Sequence, residues 1–290
     1  MRHPDPDFGY PSQSFGERVT RQVRPSAARH LGVMRGAYVL DSFIDASTWE
    51  DTLGRIVAWG AQRQSRYITL CNVHSVVTAS QDAAFGTVIR QADMALPDGA
   101  PVAWAMRRQG FDKQQRINGP DLMWRYLAIA ERIGQTVYFY GSTEATLDKL
   151  RTRLAQQFPN LRIAGTLSPA FRELTAEEDQ AHVDAINQSG AHVVFVGLGC
   201  PKQESWMAQH RGRIQAVMIG VGAAFDYHAG TIKRAPSWMQ KAGLEWLHRL
   251  ASEPRRLAKR YFQTNTVFVG RMVKSMFVEE HDLHNTNANH

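Results

Sequence analysis

Four short polar clusters interrupt apolar runs in this chain, and each carries groups that can act on a small polar ligand. The first is Asp93-Met94-Ala95-Leu96-Pro97-Asp98-Gly99-Ala100-Pro101. Pro97 stiffens the approach to Asp98 and Gly99 relaxes the exit, so the carboxylate is held on a tight turn. From such a turn it can take a proton from a hydroxyl as a general base, or it can simply cap the turn. The second is Thr69-Leu70-Cys71-Asn72-Val73-His74, where the Asn72 amide offers a donor and an acceptor in one side chain, suited to a nucleobase edge or to sugar hydroxyls. The third is the run Val193–Trp206, VVFVGLGCPKQESW, with glycines at 197 and 199. The fourth is Gly220–Gly230, GVGAAFDYHAG, whose small residues allow close backbone approach and whose Asp226 follows an apolar strand. For the second and fourth clusters, ordinary strand-end capping is the alternative reading.

The third cluster resembles half of a dinucleotide fingerprint, but Lys202 stands where the third glycine belongs. The following apolar run, Ala216–Gly222, carries no acid to hold a ribose. What the turn does offer is free backbone N–H groups at a helix N-terminus, with Pro201 expected at the first helical position. Lys202, Gln203 and Glu204 lie close to the strand end, and Gln203 can hydrogen-bond a base or a sugar hydroxyl. A glycine turn with no ligand is the other reading of these residues.

The elements that must position these clusters are legible from periodicity. Short apolar runs at Tyr67–Cys71, Val137–Gly141, Leu161–Gly165, His192–Gly197 and Ala216–Gly222 read as strands. Between them, Ala46–Arg63, Pro120–Ile133, Ser142–Phe158, Thr175–Ser189 and Pro201–Arg211 read as helices. Ser142 is the expected N-cap of the third helix, and Thr175 with Glu178 has capping-box spacing for the fourth. The alternation predicts an α/β fold: a Rossmann-like, mostly parallel sheet with helices on both faces. In such sheets ligands bind beyond the C-terminal strand ends, so the four clusters are expected to face one crevice.

Charge divides the chain unevenly. The net charge is +7 over 290 residues, yet between Lys233 and Lys274 ten basic residues face only Glu245 and Glu253. That segment points to a polyanionic partner: nucleic acid, acidic lipid headgroups or a diphosphate. Strand–helix alternation gives way after Gly230 to continuous helix-like sequence, in which Arg256, Lys259 and Arg260 share a face ahead of Tyr261, Phe262, Val267, Phe268, Val269, Met272 and Val273. This reads as a basic amphipathic surface helix, or as a solvated basic face packed on the core by its other side. The expected organisation is a disordered leader at 1–31, an α/β core at 32–232, a basic helical appendage at 233–278 and a disordered tail at 279–290. The first thirty residues contain no apolar core of a secretory signal, and no window is apolar enough to span a bilayer. Cys71 and Cys200 lack disulfide or zinc-ligand spacing.

The blocks PDGAPVAW, RINGPDL, VYFYGS, GLGCPKQESWM, GVGAAFDYHAGTIKRAPSWMQKAGLEWLHRL and EPRRLAKRY, from about Gly36 to Tyr261, resemble the WecG/TagA/CpsF glycosyltransferases, glycosyltransferase family 26. The resemblance implies an inverting enzyme without metal or cofactor. It would move a hexose-type sugar from a UDP-sugar to a polyprenyl-diphosphate-linked saccharide at the cytoplasmic face of the plasma membrane, in cell-surface or exopolysaccharide synthesis. Asp98 matches the family's candidate base, and Gln203 the glutamine associated with the nucleotide-sugar pocket. Asn72 matches the asparagine of a strand-end TxN motif, but Leu70 stands where the family often has threonine, with Thr69 one residue earlier. Arg249, Arg255, Arg256 and Arg260 match arginines thought to grip the lipid diphosphate. Thr69, Asn72, Gly197, Gly199, Lys202, Gln203, Glu204 and Asp226 are then the expected donor-binding set. The basic segment is also expected to rest on an anionic leaflet. Two rival classes are weighed against this: a nicotinamide-dependent Rossmann oxidoreductase, which the missing glycine and ribose acid disfavour, and a nucleic-acid-binding module, suggested only by the basic segment with its interleaved aromatics.

Overall fold

The computed structural model describes residues 35–287. The expected leader at 1–31 lies outside the described residues. Six parallel strands form the central sheet in the order β4-β3-β8-β7-β5-β6. These are β3 (Arg66–Cys71), β4 (Met94–Pro97), β5 (Thr136–Gly141), β6 (Arg162–Leu167), β7 (Val193–Gly197) and β8 (Val217–Gly220). An antiparallel hairpin, β1 (Gly36–Val39) and β2 (Ser42–Asp45), precedes them.

Side-chain alternation along the strands sends two sets of residues to opposite faces. On the first face, Ile68, Leu96, Phe139 and Phe195 meet α1 (Trp49–Ala61), α5 (Gly119–Ile133), α6 (Glu144–Gln157) and α9 (Ala224–Ala229). The second face is covered by α2 (Val73–Gln81), α3 (Ala83–Arg90), α4 (Ala100–Arg108), α7 (Ala176–Gln188) and α8 (Lys202–His210). The crossover from β5 to β6 runs over the first face, while those from β6 to β7 and from β7 to β8 run back over the second. Reversing direction while changing face keeps one handedness, as parallel crossovers require.

Helix starts follow local chemistry. Thr175 and Glu178 form the expected capping box. The N-cap of α6 is Thr143, whose hydroxyl accepts from Thr146 N–H at 3.2 Å; Ser142, the expected cap, sits in the left-handed region at φ 61° instead. Pro201 likewise occupies the N-cap of α8 rather than its first helical position, after a cis peptide bond to Cys200.

Several elements carry no period in the sequence. β4 has only four residues, none β-branched or aromatic, and so reads as a polar interruption. The β1–β2 hairpin is equally short, but it shields the edge of the sheet. Asp45 on β2 is buried and its carboxylate accepts from Ala95 N–H of β4 at 2.7 Å, so the edge strand does not present a free ladder.

After α9 come α10 (Ser237–Lys241), α11 (Glu245–Ser252) and α12 (Pro254–Asn287). The segment read as a surface helix has two different faces. Leu257 and Phe268 are buried, Phe268 among the side chains of β1, β2, α2 and α3. Phe262, Val269 and Val273 point outward. The helix docks on the core by its inner stripe and leaves an apolar outer stripe exposed. Helix α12 runs to Asn287. Among the described residues no helix is long and apolar enough to cross a membrane.

Candidate functional site

The strand register puts the four clusters at one level. Cys71 pairs with Pro97, so Asn72 and Asp98 leave the sheet side by side. Gly141 pairs with Gly197 on the far side of β8. All four lie at the C-terminal edge of the sheet, and β4 stands three strand positions, about 14 Å, from β7.

At the β4 end, Asp98 N–H donates to Cys71 C=O at 3.0 Å, and Ile117 N–H donates to Pro97 C=O at 2.7 Å. The second bond brings Arg116 to the same rim. Asn72 caps α2 by accepting from Ser75 N–H at 3.2 Å, which fixes its amide so that its NH₂ faces Asp98, with Nδ2 at 3.4 Å from Oδ2. Burial pushes the Asp98 carboxyl up to about 6, and Glu245 adds to this, while Arg116, Asn72 and Arg249 pull it back. The result is a carboxyl group that ionises just below neutral pH, the range a general base needs.

Two arginines flank this carboxyl. Arg116 pairs with Glu245 at 2.7 Å. Glu245 also accepts from Arg234 at 3.2 Å, and Arg234 is in turn bonded to Asp121 and, at 3.3 Å, to Asn118. This ladder ties the start of α11 to the start of α5. One turn after Glu245, Arg249 is carried into the field of Asp98, and its Nε is buried without a partner among the described residues. An arginine held there keeps hydrogen-bonding capacity for an oxyanion.

The other end of the crevice lies between β5 and β7, whose outgoing connections run in opposite directions across the sheet. That reversal is where open α/β sheets bind ligands. Ser142 N–H donates to Gly197 C=O at 3.1 Å, and Gly141 has φ 116° with Gly197 backbone 2.7 Å from where a Cβ would be. No side chain fits at 141, so the two turns pack backbone to backbone. Gly199, at φ 78°, has open space where a side chain would stand.

The sequence profile described as the glycosyl transferase WecG/TagA/CpsF family matches residues 37–282. The chain belongs to this family. It is similar to the N-acetylglucosaminyldiphosphoundecaprenol N-acetyl-beta-D-mannosaminyltransferase of Bacillus spizizenii, 33% identical over 196 residues that cover 67% of this chain and 74% of the relative. The protein of the same name from Bacillus subtilis strain 168 is 31% identical over 194 residues, again 67% and 74% of the two chains. The protein is therefore a glycosyltransferase.

The fold places the expected site residues unevenly. Asn72, Asp98 and Arg249 come together at the β4 end. Thr69 does not reach the crevice: it is fully buried, with its hydroxyl against Cys71 Sγ at 3.6 Å. A central parallel strand is covered on both faces, which turns this side chain into the interior. Gly197 owes its lack of a side chain to packing, since a Cβ would sit 2.8 Å from the Phe225 ring. Lys202 is exposed, whereas Gln203 and Glu204 are buried behind the turn. Asp226 closes its own helix, with its backbone C=O accepting from Thr231 N–H at 3.0 Å and its carboxylate 3.3 Å from the Thr231 hydroxyl. Arg255 is exposed on α12, and the side chains of Arg256 and Arg260 lie outside the described residues. Sequence reasoning missed Arg116, Asn118, Asp121, Arg234 and Glu245. All five fall within the RINGPDL and GVGAAFDYHAGTIKRAPSWMQKAGLEWLHRL blocks. Asn118 and Asp121 form a local cap of α5, but what joins them to Arg116, Arg234 and Glu245 depends on pairings across the fold.

Proposed function

We propose that the protein transfers a hexose-type sugar from a UDP-sugar to a sugar-diphosphate-polyprenol, with inversion at the anomeric carbon. The observation that carries this reading is the Asp98 carboxyl, poised near neutrality between Arg116 and Arg249 at one end of a strand-end crevice. The crevice opens at its other end on the β5–β7 glycine turns. A nucleoside diphosphate sugar would lie along it, with the nucleoside at the β5–β7 turns, the diphosphate crossing the β8 end, and the anomeric carbon towards Asp98. In a single displacement Asp98 takes the proton of the acceptor hydroxyl as that oxygen attacks the anomeric carbon. The bond to the UDP oxygen breaks in the same step, and Arg249 with Arg116 stabilises the charge developing there. The names of the two Bacillus relatives favour a sugar diphosphate on undecaprenol as acceptor and an N-acetylmannosamine-type donor. Neither the nicotinamide nor the nucleic-acid reading has an observation of this kind behind it.

A thermal-shift and calorimetry series with UDP, UDP-N-acetylmannosamine, UDP-N-acetylglucosamine, UDP-glucose and NADH tests the donor. UDP and at least one UDP-sugar should raise the melting temperature, a ligand at a hundred times its dissociation constant adding about 2.7 kcal/mol of stability. A shift with NADH and none with UDP would overturn the assignment.

In the same reading residues 233–278 form the acceptor and membrane segment, resting on the cytoplasmic leaflet. Its outward stripe of Phe262, Val269 and Val273 follows basic residues that include the exposed Arg255 and Lys259, and Trp246 and Leu247 of α11 are exposed nearby in the chain. Apolar side chains that enter the headgroup region, with basic ones beside them, suit an anionic bilayer. Deleting the whole segment would also uncover the core around Phe268, so paired point variants give the cleaner experiment. Phe262→Asp with Val269→Asp should leave UDP affinity unchanged and abolish cosedimentation with phosphatidylglycerol-containing vesicles. Undiminished cosedimentation would refute the docking role.

A further inference from the structure

The donor reading leaves one deeply buried acid unused. Glu204 is 1% exposed, the most enclosed of the described carboxylates, and its Oε2 has no hydrogen-bond partner among the described residues. Its Oε1 accepts from Gln203 Nε2 at 2.8 Å. Gln203 passes this order on: its own Oε1 accepts from Gly222 N–H at 3.0 Å, in the turn between β8 and α9. Room for the Gln203 side chain exists only because residue 220 is glycine, since a Cβ there would sit 3.0 Å from Gln203 Nε2 and 2.8 Å from the end of Met207. Burial raises the Glu204 carboxyl, and the Cys200 thiol lies beside it.

The chain Glu204–Gln203–Gly222 thus links the turn after β7 to the turn after β8, the two walls over which a donor diphosphate would cross. An amide has two ends that look alike sterically, and only its partners decide which way it points. Gly222 N–H needs an acceptor, and Glu204 supplies one for the NH₂ end, so the two together allow a single orientation. We infer that Glu204 is a positioning residue for donor binding, acting through Gln203 on the Gly222 turn without touching the donor. This role rests on the UDP-sugar reading and names what holds that site in shape.

Calorimetric titration of UDP and donor KM measured at saturating acceptor test the role. Glu204→Ala removes the acceptor and should weaken UDP binding and raise donor KM by about tenfold, the size of one oriented hydrogen bond, with acceptor KM unchanged. Glu204→Gln keeps a carbonyl oxygen in place without a charge, and should restore UDP affinity to within about threefold of wild type. Gln203→Asn keeps the amide but is too short to reach Gly222, so it should reproduce the Glu204→Ala defect even where the alanine variant fails to fold. The double variant Gln203→Asn with Glu204→Ala should be no worse than the poorer single one, since both break one chain. Equal UDP affinity in wild type, Glu204→Ala and Gln203→Asn would overturn the positioning role alone. So would a Glu204→Gln variant as defective as Glu204→Ala, which would require an ionised or proton-donating acid. A wild-type protein that bound no UDP would instead overturn the donor assignment.

Discussion

Asp98→Asn is expected to fold, to melt no lower than wild type at pH 7.5, and to lose transfer activity by about a hundred- to ten-thousandfold, the range that a positioned base contributes. The isosteric amide keeps the bond from the Asp98 backbone N–H to Cys71 C=O, and it still meets the Asn72 amide. The stability side follows from the sign of the shift. In the folded protein the Asp98 carboxyl ionises at about 6, above its ordinary value, chiefly because of burial. The folded state therefore holds its proton more tightly than the unfolded chain, and its stability falls as pH rises through the window between about 4 and 6. Above that window the ionised group costs up to about 3 kcal/mol, a burden that asparagine does not carry. The same ionisation should appear in catalysis: kcat/KM should drop as pH falls through about 6, because the protonated acid cannot accept the hydroxyl proton. A flat wild-type profile between pH 5 and 8, or an Asp98→Asn variant with full activity, would remove Asp98 from the base role.

Arg249→Ala should be nearly as damaging, by a different route. It is expected to lower kcat by about a hundred- to a thousandfold, the cost of deleting one donor aimed at developing charge. Arg249 has a buried Nε without a partner among the described residues, and it lies close enough to influence both Asp98 and Tyr227. No described acid neutralises that nitrogen, so the guanidinium remains available for a departing diphosphate. Arg249→Lys should recover only part of the rate, because an ammonium group supplies the charge without the planar fork. Its counterpart Arg255→Ala, on the exposed outer face of α12, should stay within a few-fold of wild type on a water-soluble acceptor. Steady-state kinetics on such an acceptor separate the two, and an Arg249→Ala variant within threefold of wild type would refute its role on the leaving group. A second consequence concerns Arg116, which is not free to act alone. It shares Glu245 with Arg234, so the loop after α4 and the start of α11 are coupled through one carboxylate.

Much of the scaffold was legible because it rests on local rules. The runs that became β3, β5, β7 and β8 are apolar for long enough to report a strand, and the capping box at Thr175 is a contiguous motif. The glycine turn at 197–199 could be separated from a dinucleotide fingerprint by Lys202 and by the absence of an acid in Ala216–Gly222. The turn that holds Asp98 was legible because a proline and a glycine bracket it. Thr69 lies in the interior for a physical reason: β3 is an inner parallel strand covered on both faces, and a short apolar run does not show that cover. The β1–β2 hairpin and β4 escaped notice because they lack a longer apolar run such as Ala216–Gly222, which marked the equally short β8, so pairing partners rather than composition define them.

The amino-acid sequence by itself determined the parallel α/β architecture and the family, and it marked a turn-held aspartate and a basic C-terminal segment. Those depend on periodicity, turn chemistry and charge, which each residue carries wherever it is placed. Only the tertiary structure decided which arginines lie near the aspartate. It brought Arg116, Arg249 and Glu245 around Asp98, left Arg255 facing outward, and sent Glu204 behind the glycine turn rather than into the crevice. Such roles arise from burial and from partners more than a hundred residues apart in the chain, as in the pairing of Arg116 with Glu245. The field at a carboxyl group is set by what folding places next to it, and no local stretch of sequence contains that information.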